Sequence, residues 1–195
     1  MTRRRFAATC CVVLVTGCVR DTALIDFRHE LAAHDSATAA LEQWCARRGI
    51  ANPARVEAAT QDDADAVPAT AAIRAILGIG ATEPVRARHV LLSCGGTVLS
   101  DARNWYVPAR LTPAMNHMLD TSRVPFGKVV APLGLHRHSL PQARLLPQAR
   151  LLPQPTPAPC PAGTIQHNTA VLRRNDGLAY SLVSECYTRA NIAPG

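Results

Sequence analysis

The sequence is poor in aromatic residues, and it lacks the motifs that mark several large enzyme classes. Aromatic residues make up only 4% of its 195 residues. The core is therefore expected to be aliphatic, with Trp44, Trp105, Tyr106 and Phe126 as its few large anchors. No nucleophile elbow, P-loop, dinucleotide-binding glycine fingerprint or HExxH pair is present. The sequence thus gives no sign of a bound cofactor.

Lysine is almost absent, since Lys128 is the only one, and the arginines are scattered along the chain. The formal charge is +7, and three of these charges, at Arg3, Arg4 and Arg5, lie in a predicted cleavable leader, which leaves about +4 for the remainder. Nucleic-acid binding requires a clustered basic surface, with aromatics if the target is single-stranded. Nucleic acid is therefore not an expected partner.

The first eighteen residues have the pattern of a bacterial export signal. Three arginines precede an apolar run from Phe6 to Thr16, which is too short to span a bilayer as a mature helix. The following Gly17-Cys18 resembles a lipobox, which predicts a signal peptide over 1–17, acylation of Cys18 and a tether over 19–34. The protein is then expected on the periplasmic side of a bacterial membrane, held only by its lipid anchor. A plain secretory signal, giving a soluble exported protein, and a buried N-terminal strand are the alternatives.

Four cysteines remain beyond Cys18, namely Cys45, Cys94, Cys160 and Cys186. In an oxidising compartment they could form two disulfides with three possible connectivities, and buried free thiols are the alternative. No pair has CxxC spacing, so no metal site is expected. His136, His138 and His167 are interpreted as surface or strand-end residues.

Residues 35–190 are predicted to form one α+β domain, and the chain is expected to be a monomer. Helix patterns cover 37–48, 70–77 and 113–119, with caps at Ser36 and Thr112. Strand patterns cover 55–59, 85–93, 97–107, 164–173 and 178–188, and a further apolar stretch from 128 to 135 ends at His136. Glycine-rich turns join neighbouring strands, which predicts an antiparallel sheet with flanking helices.

A proline-rich segment at 140–163 contains the repeated hexapeptide LPQARL. Proline in each unit excludes helix and central strand. A PxxP-like recognition segment is one interpretation, and tandem duplication in a tolerant surface loop is the favoured one.

Two ionisable residues lie within otherwise apolar strands. Arg88 shares a predicted strand face with Val90, and Glu185 shares one with Val183. A buried charge is costly unless it is paired or bound to a ligand. Each residue could also be solvent-facing, Glu185 on an edge strand.

Several segments between residues 84 and 188 together resemble the chorismate lyase (chorismate pyruvate-lyase) family. The segment RHVLL at 88–92, a turn, and YVP at 106–108 are similar to its central hairpin. VPFG at 124–127 is similar to its T-P-L-G segment, with Phe126 in place of leucine, and Ser184-Glu185 falls where the family has T-E. The resemblance implies a chorismate-lyase-like sheet of about six antiparallel strands and a buried pocket.

By this resemblance, Arg88 would pair with a ligand carboxylate and the backbone N–H of Phe126 would add a hydrogen bond. Arg88 and Glu185 would be the catalytic residues of a metal-free lyase, with protonated Glu185 as general acid. An exported protein would not meet the cytosolic substrate chorismate. The favoured function is therefore binding of a small, aromatic carboxylate in an enclosed pocket. The alternatives are an active chorismate pyruvate-lyase, giving 4-hydroxybenzoate and pyruvate, and a non-catalytic structural or interaction lipoprotein.

Overall fold

The computed structural model describes residues 12–62, 68–140 and 159–193, with side chains from residue 22 onward. These described residues contain five α-helices and six strands, which alternate irregularly. The helices are α1 Val12–Ala32, α2 Ala37–Arg47, α3 Ala71–Leu77, α4 Pro113–Thr121 and α5 Phe126–Val130. The strands are β1 Val56–Thr60, β2 Arg86–Cys94, β3 Thr97–Tyr106, β4 His136–Leu140, β5 Gln166–Arg173 and β6 Ala179–Tyr187.

The six strands form one sheet in the order β1-β2-β3-β6-β5-β4, and every neighbouring pair is antiparallel. This confirms the predicted α+β class and the number of strands. The two long hairpins, β2–β3 and β5–β6, meet where β3 pairs with β6. Glu185 therefore lies on a central strand, so the alternative of an exposed edge-strand position is wrong.

Helix starts follow the capping residues in the sequence. The side chains of Ser36, Thr70 and Thr112 accept hydrogen bonds from backbone N–H groups in the first turns of α2, α3 and α4. Pro113 occupies the first turn of α4, where a missing N–H costs nothing. Helix α3 ends at Gly78 in the left-handed conformation. Local chemistry thus places these helix ends.

The N-terminal segment differs from the predicted tether. Helix α1 runs through residues 19–32, and Phe27 is completely buried against Trp44 and Tyr187. An aromatic ring in the core fixes this helix to the domain. Residues 1–11 and the side chain of Cys18 lie outside the described residues, so the signal peptide and lipidation stay predictions. Among the described residues, no helix is long and apolar enough to cross a membrane.

Two disulfides tie loops and helices to the sheet. Cys45 of α2 is bonded to Cys94 at the end of β2, and Cys160 is bonded to Cys186 of β6. Since 49 and 26 residues separate the partners, each bond closes a long loop and restricts the unfolded chain. The structure therefore selects one of the three connectivities left open by the sequence.

Different helices pack against the two faces of the sheet. Helices α1, α2, α4 and α5 belong to the clusters that contain Phe27, Leu41, Trp44, Phe126 and Val130. Helix α3 packs separately, with its Ile73 and Leu77 against Trp105 and Leu182. His136 and His138, predicted at the end of an apolar element, lie within β4 instead. The LPQARL repeat is mostly outside the described residues, because 141–158 is not among them.

Candidate functional site

One sheet face collects the polar residues that sequence analysis singled out. In the strand register, Arg88 lies opposite Asn104, Asn104 opposite Val183, and Ala102 opposite Glu185. Side chains alternate along a strand, so residues two apart on one strand share a face with their cross-strand partners. Arg88 and Glu185 therefore point to the same side of the sheet, as the resemblance implied.

A cavity lies between this face and the N-terminal ends of α2 and α5. Its sheet wall includes Val90, Leu92, Asn104 and Glu185, and its opposite wall includes the segments 35–38 and 125–127. Its volume is about 50 Å³. One water requires roughly 10–15 Å³, so the cavity has room for a few waters or a small organic group.

Arg88 is a buried cation without a partner among the described residues. Its exposed fraction is 9%, and neither Nη1 nor Nη2 has a hydrogen-bond partner there. Burial lowers the pKa of Arg88, and Tyr106 and Asp120 only partly oppose this effect. Arg88 is two residues from Val90 and opposite Asn104, both of which line the cavity. Arg88 thus lies on the same sheet face beside the cavity, without being one of its lining residues, and its Nη1 and Nη2 donors are unused.

Asn104 repeats this pattern inside the cavity wall. The residue is 5% exposed, and its Nδ2 has no hydrogen-bond partner among the described residues. Buried polar groups are nearly always hydrogen-bonded, and an unsatisfied one costs about 1–3 kcal/mol. Two adjacent buried groups with unused donors can therefore take their acceptor from a bound ligand or from water. Asn104 was not among the predicted site residues, although a polar residue opposite Arg88 on the paired strand is the signal that could have found it.

Glu185, by contrast, is fully engaged. Its Oε2 accepts from Arg137 Nη2 at 2.5 Å and from the Tyr187 hydroxyl at 3.0 Å, and its Oε1 lies 3.4 Å from Arg137 Nη1. Burial disfavours the charge of Arg137, but Glu185 and Tyr187 outweigh burial and raise the pKa of Arg137. Burial and the nearby carboxylate both raise the pKa of Tyr187, which stays a neutral donor. The pair is thus a closed unit that brings no net charge to the cavity.

Arg137 was not recognised as a site residue in the sequence, because it lies between two histidines in a segment predicted to end an apolar element. Its partner is 48 residues away and two strands across the sheet. Only the pairing of β4 with β5 and of β5 with β6 brings the two charges together. The positions of Arg137 and Glu185 in the sequence therefore could not predict that they form an ion pair.

Phe126 and Gly127 close the cavity from the helical side. Phe126 is the first residue of α5, so its N–H has no acceptor within the helix. A Cβ on Gly127 would lie 2.6 Å from Ser36 Oγ and 3.1 Å from Thr38 Oγ1. Glycine therefore allows the start of α5 to approach the start of α2, which places both helix N-termini on the cavity.

Two of the three predicted site residues, Phe126 and Glu185, line the cavity, and Arg88 lies on the same sheet face beside it. The unused donor of Asn104 and the starts of α2 and α5 can attract an anion, whereas the Asp35 carboxylate in the same wall opposes one. The arrangement is less suited to acid-catalysed cleavage of a ligand by Glu185. Glu185 already accepts hydrogen bonds from Arg137 and Tyr187, and it would have to exchange one of them to act as a donor to a ligand.

The fold is the six-stranded antiparallel α+β fold of GntR-type effector domains, which is also that of chorismate lyase. PhnF from Mycobacterium smegmatis is 16% identical with a TM-score of 0.50, and the match covers 81% of this chain and 65% of that chain. The effector domain of PhnF is 16% identical with a TM-score of 0.43, covering 68% of this chain and 80% of that one. At such identity the likeness to PhnF shows the fold alone, and this chain spans less than two thirds of the PhnF chain.

No protein-family model matches the sequence. The uncharacterized protein y4mC of Sinorhizobium fredii is 39% identical over 168 residues, which is 81% of this chain and 70% of y4mC. Identity at this level over most of both chains establishes common descent and a common fold. The chain therefore belongs to the family of y4mC.

Proposed function

We propose that this protein binds a small carboxylate in the cavity between β2, β3 and β6 and the starts of α2 and α5, without transforming it. The observation that carries the proposal is the pair of unsatisfied buried donors, Arg88 and Asn104. A fold shared with effector domains is consistent with a small-molecule ligand.

A carboxylate satisfies the donors better than other common ligand groups. The planar guanidinium of Arg88 matches a carboxylate with two parallel hydrogen bonds. Asn104 Nδ2 and the N–H of Phe126 offer further donors from two other directions. Since Glu185 and Arg137 neutralise each other, Arg88 beside the cavity would supply the positive charge for a monoanion, with Asp35 and Arg103 also in the cavity wall.

The volume limits the size of the ligand. A cavity of about 50 Å³ holds a carboxylate with a short apolar body as it stands. The apolar wall around Val90, Leu92, Phe126 and Val183 suits such a body. A benzoate-sized ring requires side chains such as Phe126 to move, so affinity measured across a size series reports how far the cavity opens.

We do not propose a catalytic function, because the side chain of Glu185 is already hydrogen-bonded to other residues of the protein. Its oxygens are engaged by Arg137 and Tyr187, which hold the side chain against the sheet instead of presenting it to a ligand. Incubation with chorismate and an assay for pyruvate tests this directly. Pyruvate release that is lost in Glu185→Gln would establish the lyase in place of the binding protein.

Binding is tested by thermal unfolding and calorimetry with acetate, propionate, benzoate and 4-hydroxybenzoate. The amide of each acid is a matched control, since it has nearly the same shape and no charge. At a ligand concentration 100 times Kd, binding adds about 2.7 kcal/mol to stability, which raises Tm by roughly 5–11 °C at this chain length. The amides are expected to have no such effect.

The proposal fails if no acid raises Tm more than its amide does. It also fails if Arg88→Met keeps the response while Arg86→Met, two residues along the same strand, loses it. Arg86 is half-exposed and already paired with Asp120 at 2.6 Å, so its loss removes a charge without touching the cavity.

A further inference from the structure

A second group of side chains with ligand chemistry lies on the opposite sheet face, away from the carboxylate cavity. Asp101 on β3, Cys186 on β6 and His167 on β5 are direct cross-strand neighbours, and Cys160 is bonded to Cys186. The ligand atoms of Cys160, His167 and Cys186 all lie within 4.8 Å of one another. We propose that reduction of the Cys160–Cys186 disulfide converts this group into a binding site for Zn²⁺.

The geometry is close to what zinc requires. Tetrahedral zinc binds sulfur at about 2.3 Å and imidazole nitrogen at about 2.0–2.1 Å, so its ligand atoms are roughly 3.5–3.8 Å apart. The present separations need only small side-chain rotations once the S–S bond opens. Two thiolates and an imidazole form a donor set that suits zinc among the abundant divalent ions.

The surroundings leave space for a fourth ligand. A cavity of about 40 Å³ is lined by Asp101, Arg103, Ser184 and Cys186, and by two prolines. This volume is roughly three times what one water requires, so a water can complete the tetrahedron. Asp101 is already bonded to His89 at 2.8 Å and is not needed as a ligand. The Nε2 of His167 lies 2.9 Å from Ser184 Oγ, a contact that holds the ring in place.

Reduction consumes one dithiol for each chain. A dithiol reductant transfers two electrons and two protons to the Cys160–Cys186 disulfide, and it is itself oxidised to a disulfide. Zinc then displaces the two thiol protons, which pass to solvent, and two S–Zn bonds and one N–Zn bond form.

The other disulfide is a control within the same chain. Cys45 and Cys94 are completely buried, whereas Cys160 lies outside the strands and is half-buried. A reductant therefore reaches Cys160–Cys186 first. Among the described residues, no histidine or carboxylate forms a metal-ligand group with Cys45 and Cys94.

The test uses the full chain with Cys10, Cys11 and Cys18 changed to serine, so that thiols outside the described residues bind no metal. Graded reduction with a phosphine is followed by thiol counting and peptide mapping, which should find Cys160 and Cys186 as the first two free thiols. Zinc retained through gel filtration is then measured by elemental analysis, with one ion per chain expected after reduction and none before it.

Two histidine variants test whether His167 binds the zinc ion. His167→Gln keeps a hydrogen-bonding side chain and should weaken zinc affinity at least about tenfold, the lower end of the losses seen even for outer-shell partners. His138→Gln, an exposed histidine on the adjacent strand region, should leave affinity unchanged. Equal zinc binding by oxidised and reduced protein, equal affinity of the two variants, or first reduction of Cys45–Cys94 would each overturn the proposal.

Discussion

Replacement of Arg88 by methionine should stabilise the ligand-free protein while it abolishes carboxylate binding. Most substitutions of buried residues destabilise a fold. Arg88 is expected to behave differently because its guanidinium is buried without a hydrogen-bond partner among the described residues. The native state therefore bears a desolvation cost that Tyr106 and Asp120 only partly offset.

The magnitude follows from the cost of an unsatisfied buried group. That cost is about 1–3 kcal/mol and higher for charged groups, so Arg88→Met should raise the free energy of unfolding by about 1–3 kcal/mol. Methionine retains most of the apolar stem and adapts to irregular space, so little packing is lost. For a chain of this length, Tm should rise by about 2–12 °C.

Denaturant unfolding and calorimetry of the ligand-free protein measure this change. Arg86→Met is the matched control, because Arg86 lies on the same strand as Arg88. It removes an exposed ion pair with Asp120 of α4 and should lower the free energy of unfolding by no more than about 1 kcal/mol. A loss of 2 kcal/mol or more in Arg88→Met would refute the reasoning, since it would mean that the guanidinium already has good partners. The carboxylate site would then lose its main support.

Two further predictions concern the cavity walls. Gly127→Ala should destabilise the protein by about 1–3 kcal/mol and weaken ligand binding, because the added Cβ would lie 2.6 Å from Ser36 Oγ. Gly80→Ala is the control, since no atom lies within 4 Å of its added Cβ, and it should leave the stability measured by denaturant unfolding unchanged. Glu185→Gln should cost about 3–5 kcal/mol, since it leaves Arg137 charged and buried without its counterion. A loss below 1 kcal/mol for Glu185→Gln, with Gly127→Ala as stable as the wild type, would contradict the described geometry.

Local features of the chain were predictable because they depend on neighbours in sequence. The caps at Ser36 and Thr112, the glycine turn after Cys94 and the apolar face of α2 are set by short-range hydrogen bonding and helical periodicity. The resemblance to chorismate lyase added the expected number of strands, whereas the strand order came from the tertiary structure. The tether failed as a prediction since the burial of Phe27 depends on a groove that exists only once α2 and β6 have assembled.

In the candidate site, too, some features follow from the sequence and others only from the tertiary structure. Strand alternation in the sequence placed Arg88 and Glu185 on faces with apolar neighbours but left open whether each faces solvent, and the structure shows that both are buried. Only the tertiary structure decided that Arg137 neutralises Glu185 while Arg88 lacks a partner, because strand pairing sets which charges meet across the sheet. The same holds for Cys160, His167 and Cys186, whose ligand atoms converge from separate segments. Burial can be estimated from periodicity within one element, whereas electrostatic pairing depends on distances between elements far apart in the chain.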